Sequence, residues 1–344
     1  MSDGDGGTAP TAQTPGPIRI PCLHNPAGHE VRFHLDNGQF VWVDLEEPGD
    51  DDLAQIASLL RLHPLTVADA RTFKQRPKIE DYDTYVFIVL FGVDPDTDPG
   101  GRILREVHMI ISGDIVVTIR HHSSAALDAL RARYDQHPAR SEQFLTYEII
   151  DAVISTFVPV LTRVDDDIDD LEEQVIEQPR EEDLQRIFSL KRDLVAMRRV
   201  LAPMRDMFLR RADNIAELPG FGTDDKLYFR DLYDELIRIA EMVDAYRDLL
   251  SGTTDLYLST VANRQGEVNR QLTIIATIFL PLTFFTGFFG QNFAFLTGHV
   301  QNTELSFWVL GIGTLVASVV VLSFWFRRRG WIGQNATGGA TRPD

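Results

Sequence analysis

A short polar sequence, Gly290-Gln291-Asn292, closes an otherwise apolar segment near the C-terminus. Gly287 and Gly290 lack side chains, so helices that carry them can approach closely at these positions. A carboxamide oxygen such as that of Asn292 accepts hydrogen bonds from water molecules already bound to a cation. This chemistry suits Mg²⁺, which sheds its hydration shell reluctantly. The alternative is a helix C-cap, with Gly290 ending the helix and Asn292 in the membrane interface.

Two uncharged segments of 22 residues each, 271–292 and 305–326, supply the elements that would position these groups. At ~1.5 Å per residue, each helix spans ~33 Å, enough to cross a hydrocarbon core of ~30 Å. Buried core helices, the alternative, are usually shorter and carry a polar face. We predict two transmembrane helices, TM1 at 271–292 and TM2 at 305–326, joined by an extracytoplasmic loop at 293–304.

Basic residues flank the two segments on one side only. Arg264 and Arg270 precede the first, three arginines at 327–329 follow the second, and loop 293–304 has no Lys or Arg. The positive-inside rule therefore predicts a multi-pass protein of the plasma or inner membrane with both termini in the cytoplasm, including a basic tail at 327–344. Residues 1–17 lack the basic and apolar regions of a signal peptide and are predicted to be a disordered tail.

The composition excludes several classes of function. The 344 residues include 33 Lys and Arg against 51 Asp and Glu, a net charge of −18, which argues against nucleic-acid binding and favours attraction of cations. The single cysteine, Cys22, excludes an intramolecular disulfide and a Cys-rich zinc site. No histidine spacing matches a common zinc pattern, so we predict structural or surface roles for His24, His29, His34, His121 and His122.

Residues 18–140 are predicted to form a cytoplasmic α/β domain. Apolar runs predict strands at 40–45, 85–92, 106–111 and 114–120. The last two form a hairpin across Ser112 and Gly113. Helices are predicted at 52–62, 64–72 and 124–136.

Residues 141–270 are predicted to form a region of long helices, which the family resemblance described below implies is a funnel or stalk. The predicted helices cover 144–176, 181–215 and 224–269, and the third continues directly into the first apolar segment. So long a helix needs neighbours along its length. A single membrane hairpin cannot enclose a polar path, so we expect the chain to self-associate.

The stretch 165–183 carries 11 carboxylates, and an apolar stripe of Ile168, Leu171, Val175 and Ile176 runs through it. It is interpreted either as a solvated helix face or as an electrostatic collector of divalent cations. The spacing does not distinguish the two.

The segment NRQGEVNRQLTIIATIFLPLTFFTGFFGQNF, residues 263–293, resembles the pore helix of the CorA-type divalent-cation transporters, which carry a Gly-Met-Asn signature. The resemblance extends to 228–259 and, more loosely, to 76–90. It implies an α+β membrane protein that is not an enzyme, needs no cofactor and assembles as a funnel-shaped homopentamer in the lipid bilayer. Five first segments would line the pore and the second segments would face lipid.

Carried over by position, the resemblance implies pore-facing roles for Gly266, Asn269, Leu272 or Thr273, Thr277, Leu280, Thr283, Gly287 and Asn292. Helical geometry gives the same face independently, because positions 269, 273, 276/277, 280, 283/284, 287 and 291 recur every three or four residues. Leu280 is the candidate hydrophobic constriction. The threonines either line the pore wall or bond back to the helix carbonyl four residues earlier.

Three residues depart from the family pattern: Gln291 replaces the signature Met, Asn269 replaces a common Met gate, and Gly266 replaces a common Asn. Variants of the middle signature residue also occur in the ZntB-like, zinc-transporting branch. The open alternatives are therefore transport of Mg²⁺ with Co²⁺ or Ni²⁺, and proton-coupled Zn²⁺ transport of the ZntB type.

Transport is predicted to be passive, because the sequence has neither a phosphate-binding loop nor a dinucleotide fingerprint. A divalent ion gains roughly 4.6 kcal/mol on crossing 100 mV. The resemblance also implies a regulatory divalent site between subunits, with Asp231 of one facing Asp83 of its neighbour. A solvated surface pair is the alternative there, and a membrane-anchored cytoplasmic sensor is the alternative for the whole protein.

Overall fold

The computed structural model describes residues 29–35, 38–94, 103–113, 115–136, 141–215, 226–291, 298–299 and 304–331. The chain divides into two compact units, Met1–Thr254 and Asp255–Asp344. The predicted disordered tail, Cys22, His24 and Asn292 lie outside the described residues, as does most of the predicted loop 293–304.

A six-stranded mixed sheet forms the centre of the first unit. The strands are β1 (His29–Leu35), β2 (Gly38–Glu46), β3 (Lys78–Tyr82), β4 (Tyr85–Val93), β5 (Leu104–Ser112) and β6 (Ile115–Arg120). Their order is β1-β2-β6-β5-β4-β3, with β2 and β6 parallel and the other neighbours antiparallel.

The four predicted strands and the predicted hairpin are confirmed. Every residue of β4 and β6 is buried, which explains their continuous apolar sequences. Gly113 turns the β5–β6 hairpin with φ of +54°, a conformation that suits a residue without a side chain. Strand β3 escaped prediction because its sequence, KIEDY, is charged, as is typical of an exposed sheet edge. Strand β1 was also missed.

The helices of the first unit are α1 (Asp50–Leu60), α2 (Pro64–Thr72), α3 (Ala125–Gln136), α4 (Glu142–Ile154), α5 (Phe157–Glu177) and α6 (Glu181–Ile215). Helix α7 (Lys226–Phe289) begins in this unit, where a row of its side chains is buried. That row comprises Leu232, Leu236, Ile239, Val243 and Leu250.

The predicted single helix at 144–176 is wrong, since α4 and α5 are separated at Ser155 and Thr156. Pro159 has no N–H with which to bond the Ser155 carbonyl, so the helix cannot continue regularly. The Thr156 hydroxyl takes over at the break. It donates to the Val153 carbonyl at 2.6 Å and accepts from the Val93 amide at 2.9 Å, which fastens the break to β4.

Gly92 packs against this break, and replacing it with alanine is expected to lower the free energy of unfolding by about 1–3 kcal/mol. An added Cβ would lie 2.8 Å from Thr156 Oγ1 and 3.1 Å from the Val153 carbonyl oxygen, which is backbone and yields little. Gly252→Ala is the control, because nothing lies within 4 Å of a Cβ there and alanine favours the helix. Thermal unfolding compares the two, and equal melting temperatures would contradict the steric argument.

A buried ionic network lies where β2 meets β6. Asp44 and Arg120 are 0% and 1% exposed, and Arg120 Nη2 contacts Asp44 Oδ2 at 2.9 Å and Asp128 Oδ1 at 2.7 Å. Trp42 donates its indole N–H to Thr118 Oγ1 at 3.0 Å, and that hydroxyl donates to Asp44 Oδ1 at 2.7 Å. Each polar group inside this part of the core is therefore held by a neighbour.

The acidic stretch 165–183 covers the end of α5 and the start of α6. Ile168, Leu171 and Val175 are buried as predicted, but Ile176 is 61% exposed, so including it in the apolar stripe was wrong. Residues 168, 171 and 175 recur on one helix face, whereas the position after 175 is turned ~100° away from them. Most of the carboxylates are exposed, and the described residues contain no group of three side chains placed to hold a metal ion.

Candidate ion-conduction helix

Three described helices are long and apolar enough to cross a membrane. The first, Gln143–Glu177, combines α4 and α5, and half of its most apolar window is buried, which is the burial expected of a core helix. The most apolar 18-residue stretches of α7 and of helix Glu304–Arg328, which we call α8, are not buried at all. Helices α7 and α8 therefore match the two predicted spans, with α8 wound as a π-helix over Phe307–Gly313.

Helix α7 is uninterrupted for 64 residues, which confirms that the long third helix continues into the first apolar segment. It ends at Phe289, slightly before the predicted limit of 292. The Gly290 amide donates to the Thr286 carbonyl at 2.9 Å, and the Gln291 amide donates to the Phe288 carbonyl at 3.3 Å. A Cβ on Gly290 would lie 3.0 Å from the Thr286 carbonyl oxygen, so this position favours glycine. The polar signature therefore starts where the helix stops.

The threonine hydroxyls of α7 donate hydrogen bonds to the helix backbone, which was one of the two predicted alternatives. The hydroxyls of Thr273, Thr277 and Thr283 donate to the carbonyls four residues earlier at 2.8, 2.7 and 2.9 Å. A hydroxyl whose proton is used in this way still offers lone pairs on its oxygen. It therefore presents an acceptor, which is the group that the waters around a cation require.

The membrane part of α7 has two distinct faces. The partly buried residues of 271–290 include a row that repeats every three or four residues, Ile274, Ile278, Pro281 and Phe285. Thr277, Leu282 and Phe289 are partly buried as well. Pro281 and Phe285 also line an apolar groove of about 1040 Å³ shared with α8. At ~100° per residue, the predicted pore face is centred well over 90° from this row.

Most of the predicted pore residues are exposed in the single chain. Leu280 is 75% exposed and Leu272 is 59% exposed. The other exposed members of the set are Gly266, Asn269, Thr273, Thr283, Gly287, Gly290 and Gln291. Thr277 is half-buried, and Thr277, Leu280 and Thr283 all line the groove with α8. The predicted pore face and the face toward α8 therefore overlap at these three residues.

The candidate regulatory acids lie in the first unit. Asp231 is exposed on α7 and accepts a hydrogen bond from the Tyr147 hydroxyl at 2.8 Å. Asp83 is exposed in the turn between β3 and β4, and within the described part of this single chain no hydrogen bond or ion pair joins it to Asp231. Sequence reasoning missed Tyr147, because it precedes its partner by 84 residues and no motif marks it.

Acidic neighbours surround Asp231. Burial, together with the charges of Glu235, Asp231 and Glu148, raises the pKa of Asp151 to about 6. Burial and the hydrogen bond to Asp231 raise the pKa of Tyr147 as well. Helices α4 and α7 thus meet across an excess of negative charge.

Asp151 makes stability depend on pH. The folded state holds its proton up to about pH 6 whereas the unfolded chain releases it near pH 4, so this contribution to stability falls as the pH rises through that window. Asp151→Asn is expected to raise the melting temperature above pH 6 and to flatten its dependence on pH between 4 and 7. Asp234→Asn, at an exposed acid of α7, is the control. A wild-type melting temperature that rose across the window would contradict the assignment.

Comparison with known proteins places these features in context. Residues 37–328 match the family model described as "CorA-like Mg2+ transporter protein". The chain is 33% identical over 306 residues to a cobalt/magnesium transport protein CorA of Thermotoga maritima, covering 86% of this chain and 85% of that protein. It is 25% identical over 297 residues to a zinc transport protein ZntB of Yersinia enterocolitica, covering 86% and 88%.

The fold has a close counterpart among solved structures. The complete CorA magnesium transporter of Methanocaldococcus jannaschii superimposes with a TM-score of 0.76 at 21% identity, covering 90% of this chain and 99% of that one.

A mixed-sheet unit with long helices, followed by two exposed apolar helices, is the architecture of an integral membrane protein. The match to a transporter family makes it a transport protein rather than an enzyme. The chain belongs to the CorA-like Mg²⁺ transporter family.

Proposed function

We propose that this chain forms a passive divalent-cation channel driven by the membrane potential. Mg²⁺ and Co²⁺ are the proposed cargo, since the Thermotoga relative is named for both ions. The observation that carries the proposal is helix α7, whose exposed face bears hydroxyl and carboxamide groups and which ends at the Gly-Gln-Asn sequence. An anchor helix would have no use for such a face in lipid.

The proposed assembly is a homopentamer with both termini in the cytoplasm. Self-association is supported by the exposure of Thr273 and Thr283 within the first span, because polar groups facing lipid are costly. The basic residues that flank the two spans support the orientation of the termini. Several copies that turn this face inward would enclose water. Leu280 would then form the hydrophobic constriction, at which the pore opens and closes by wetting.

Selection of the hydrated ion is assigned to Gly290, Gln291 and Asn292. No Asp, Glu, Lys, Arg or His lies within 271–292, so the wall offers hydrogen-bond acceptors and no fixed charges. Acceptors aimed at bound water can hold a hydrated cation without stripping its shell, which matches the chemistry of Mg²⁺. Zinc transport with proton coupling is the second candidate, supported by the similarity to ZntB.

Ion flux into proteoliposomes tests the proposal. The purified protein is reconstituted, and Mg²⁺ entry is followed with an enclosed dye at a set potassium-diffusion potential. Flux that rises with the inside-negative potential, and competition by Co²⁺, are expected. Flux that follows a pH gradient and is carried best by Zn²⁺ would favour the second candidate. An absence of flux at every potential would favour a membrane-anchored sensor.

Regulation by cytoplasmic Mg²⁺ is proposed to use Asp231 with Asp83 of a neighbouring subunit. A hard cation between carboxylates stabilises the closed interface, and its loss leaves like charges facing each other. Roughly 20 mM Mg²⁺, saturating for an open site of millimolar affinity, is expected to slow proteolysis of the wild type but not of Asp231→Ala. Asp248→Ala, at another acid of α7, is the control. Equal protection of wild type and Asp231→Ala would exclude this site.

A further inference from the structure

A cavity of about 740 Å³ opens in the first unit, separate from the residues assigned to conduction and regulation. Its wall is formed by the connection from α2 to β3, by parts of β4 and β5, by the residues after β6, and by α6. The volume lies in the usual range for small-molecule sites. Strands β4 and β6 end beside it, and the carboxyl ends of strands are where sheets flanked by helices commonly bind ligands.

One wall contains a strained aromatic residue. Phe73 has φ of +41°, which is unusual for a bulky side chain. Its ring stacks on the His108 ring, with 4.3 Å between the ring centroids, and lies tilted against the His121 ring, with 4.0 Å between the centroids. His108 is fully buried, and its Nε2 lies 2.7 Å from Glu106 Oε1. Phe73 is the C-cap of α2, a position where a left-handed conformation commonly ends a helix. The helix end and the two histidine rings thus fix its side chain at the cavity wall.

The charges around the cavity are not balanced within the described residues. Lys74 and Arg192 line it, and neither has a hydrogen bond or salt bridge in the part of the chain that the structure describes. Asp193 also lines it, and burial raises the pKa of its carboxyl against the opposing effect of the Arg192 charge. Two available cations in a concave wall favour a phosphate.

Part of the remaining wall is an apolar surface of Phe91, Ile103, Leu104 and Ala196. Polar side chains line the rest: Thr72, Gln75, Arg105, Glu106, His121 and His122. A purely inorganic anion would gain nothing from the apolar surface and would be repelled by Asp193. A carboxylate beside a phosphate site can instead accept hydrogen bonds from the hydroxyls of a sugar. Cations, a carboxylate and an apolar surface together match the three parts of a nucleotide.

We propose that this cavity binds a nucleotide, with the phosphates on Lys74 and Arg192, the sugar hydroxyls on Asp193 and the base against the apolar wall. The chain has no phosphate-binding loop, so the bound nucleotide acts as a regulatory effector and is not hydrolysed to drive transport. The site goes beyond the transport function and does not depend on the assigned cargo.

Calorimetric titration of the full-length protein in detergent, with divalent ions chelated, tests the proposal. The probes are ATP, AMP, adenosine and inorganic phosphate. ATP or AMP is expected to bind with an affinity at least tenfold higher than that of adenosine or phosphate. Lys74→Ala/Arg192→Ala is expected to weaken binding by about a hundredfold, or about tenfold for each lost contact.

Arg76→Ala/Arg199→Ala removes two exposed cations outside the cavity wall and is expected to bind like the wild type. Ala196→Phe places a bulky ring in the cavity wall and keeps both cations, so it is expected to weaken binding by a second route. An absence of saturable binding at millimolar ATP and AMP would contradict the proposal. Inorganic phosphate binding as tightly as ATP, or equal affinities in the two double variants, would overturn it as well.

Discussion

Replacing Asn292 with alanine is expected to reduce divalent-cation flux at least a hundredfold while leaving assembly and melting temperature unchanged. In an assembly, each copy loses one acceptor for the waters of the passing ion. A hydrogen bond to a charged partner contributes about 1.5–3 kcal/mol, so even one uncompensated contact corresponds to a tenfold to hundredfold effect. Flux into proteoliposomes at a fixed potential measures this effect.

Asn302→Ala provides the matched control, because it removes a second carboxamide from the same interspan segment. Its flux is expected to equal that of the wild type. Equal flux in wild type and Asn292→Ala would remove the amide from the mechanism. Absence of flux in both the wild type and Asn292→Ala would favour a membrane-anchored sensor, in which the two spans serve only as an anchor.

Replacing Arg120 with methionine is expected to destabilise the first unit by about 3–5 kcal/mol, because it leaves the Asp44 carboxylate buried with less compensation. Asp44 keeps its bonds to Thr118 and to Arg131, whose Nη1 lies 3.3 Å away, but loses its closest guanidinium. For a unit of this size, the melting temperature should fall by roughly 6–20 °C. Thermal unfolding of the full-length protein gives the measurement.

Arg71→Met is the control for this change, since Arg71 pairs with Asp50 at 3.1 Å on the exposed surface. A surface pair contributes about 0–1 kcal/mol, so little change is expected. The double variant Asp44→Leu/Arg120→Met should recover part of the lost stability, because apolar groups of similar volume can replace a buried ion pair. A melting temperature of Arg120→Met equal to that of Arg71→Met would show that the buried pair contributes nothing.

Local patterns explain which parts of the fold could be predicted. Strand β4 and helix α7 were predictable because one long apolar or helical run identifies each of them. The break between α4 and α5 was not, because it depends on Thr156 bonding to β4, a contact made 63 residues away in sequence.

The candidate site likewise has a part that local spacing predicts and a part that depends on contacts distant in sequence. The row of hydroxyls on α7 follows from spacing along one helix, and so does the placement of Leu280. The environment of Asp231 depends on Tyr147 and Asp151 from α4, which no local pattern brings to it. The network of Asp44 and Arg120 was equally hidden, because its members are 76 residues apart.

The end of α7 at Phe289 has an electrostatic consequence for the proposed outer mouth of the pore. The peptide dipoles of a helix sum to about half a negative elementary charge at its C-terminus. If several copies gather their first spans around one axis, these partial charges converge where the ion arrives. Backbone dipoles do not titrate, so this attraction for cations would be the same in acidic and alkaline surroundings.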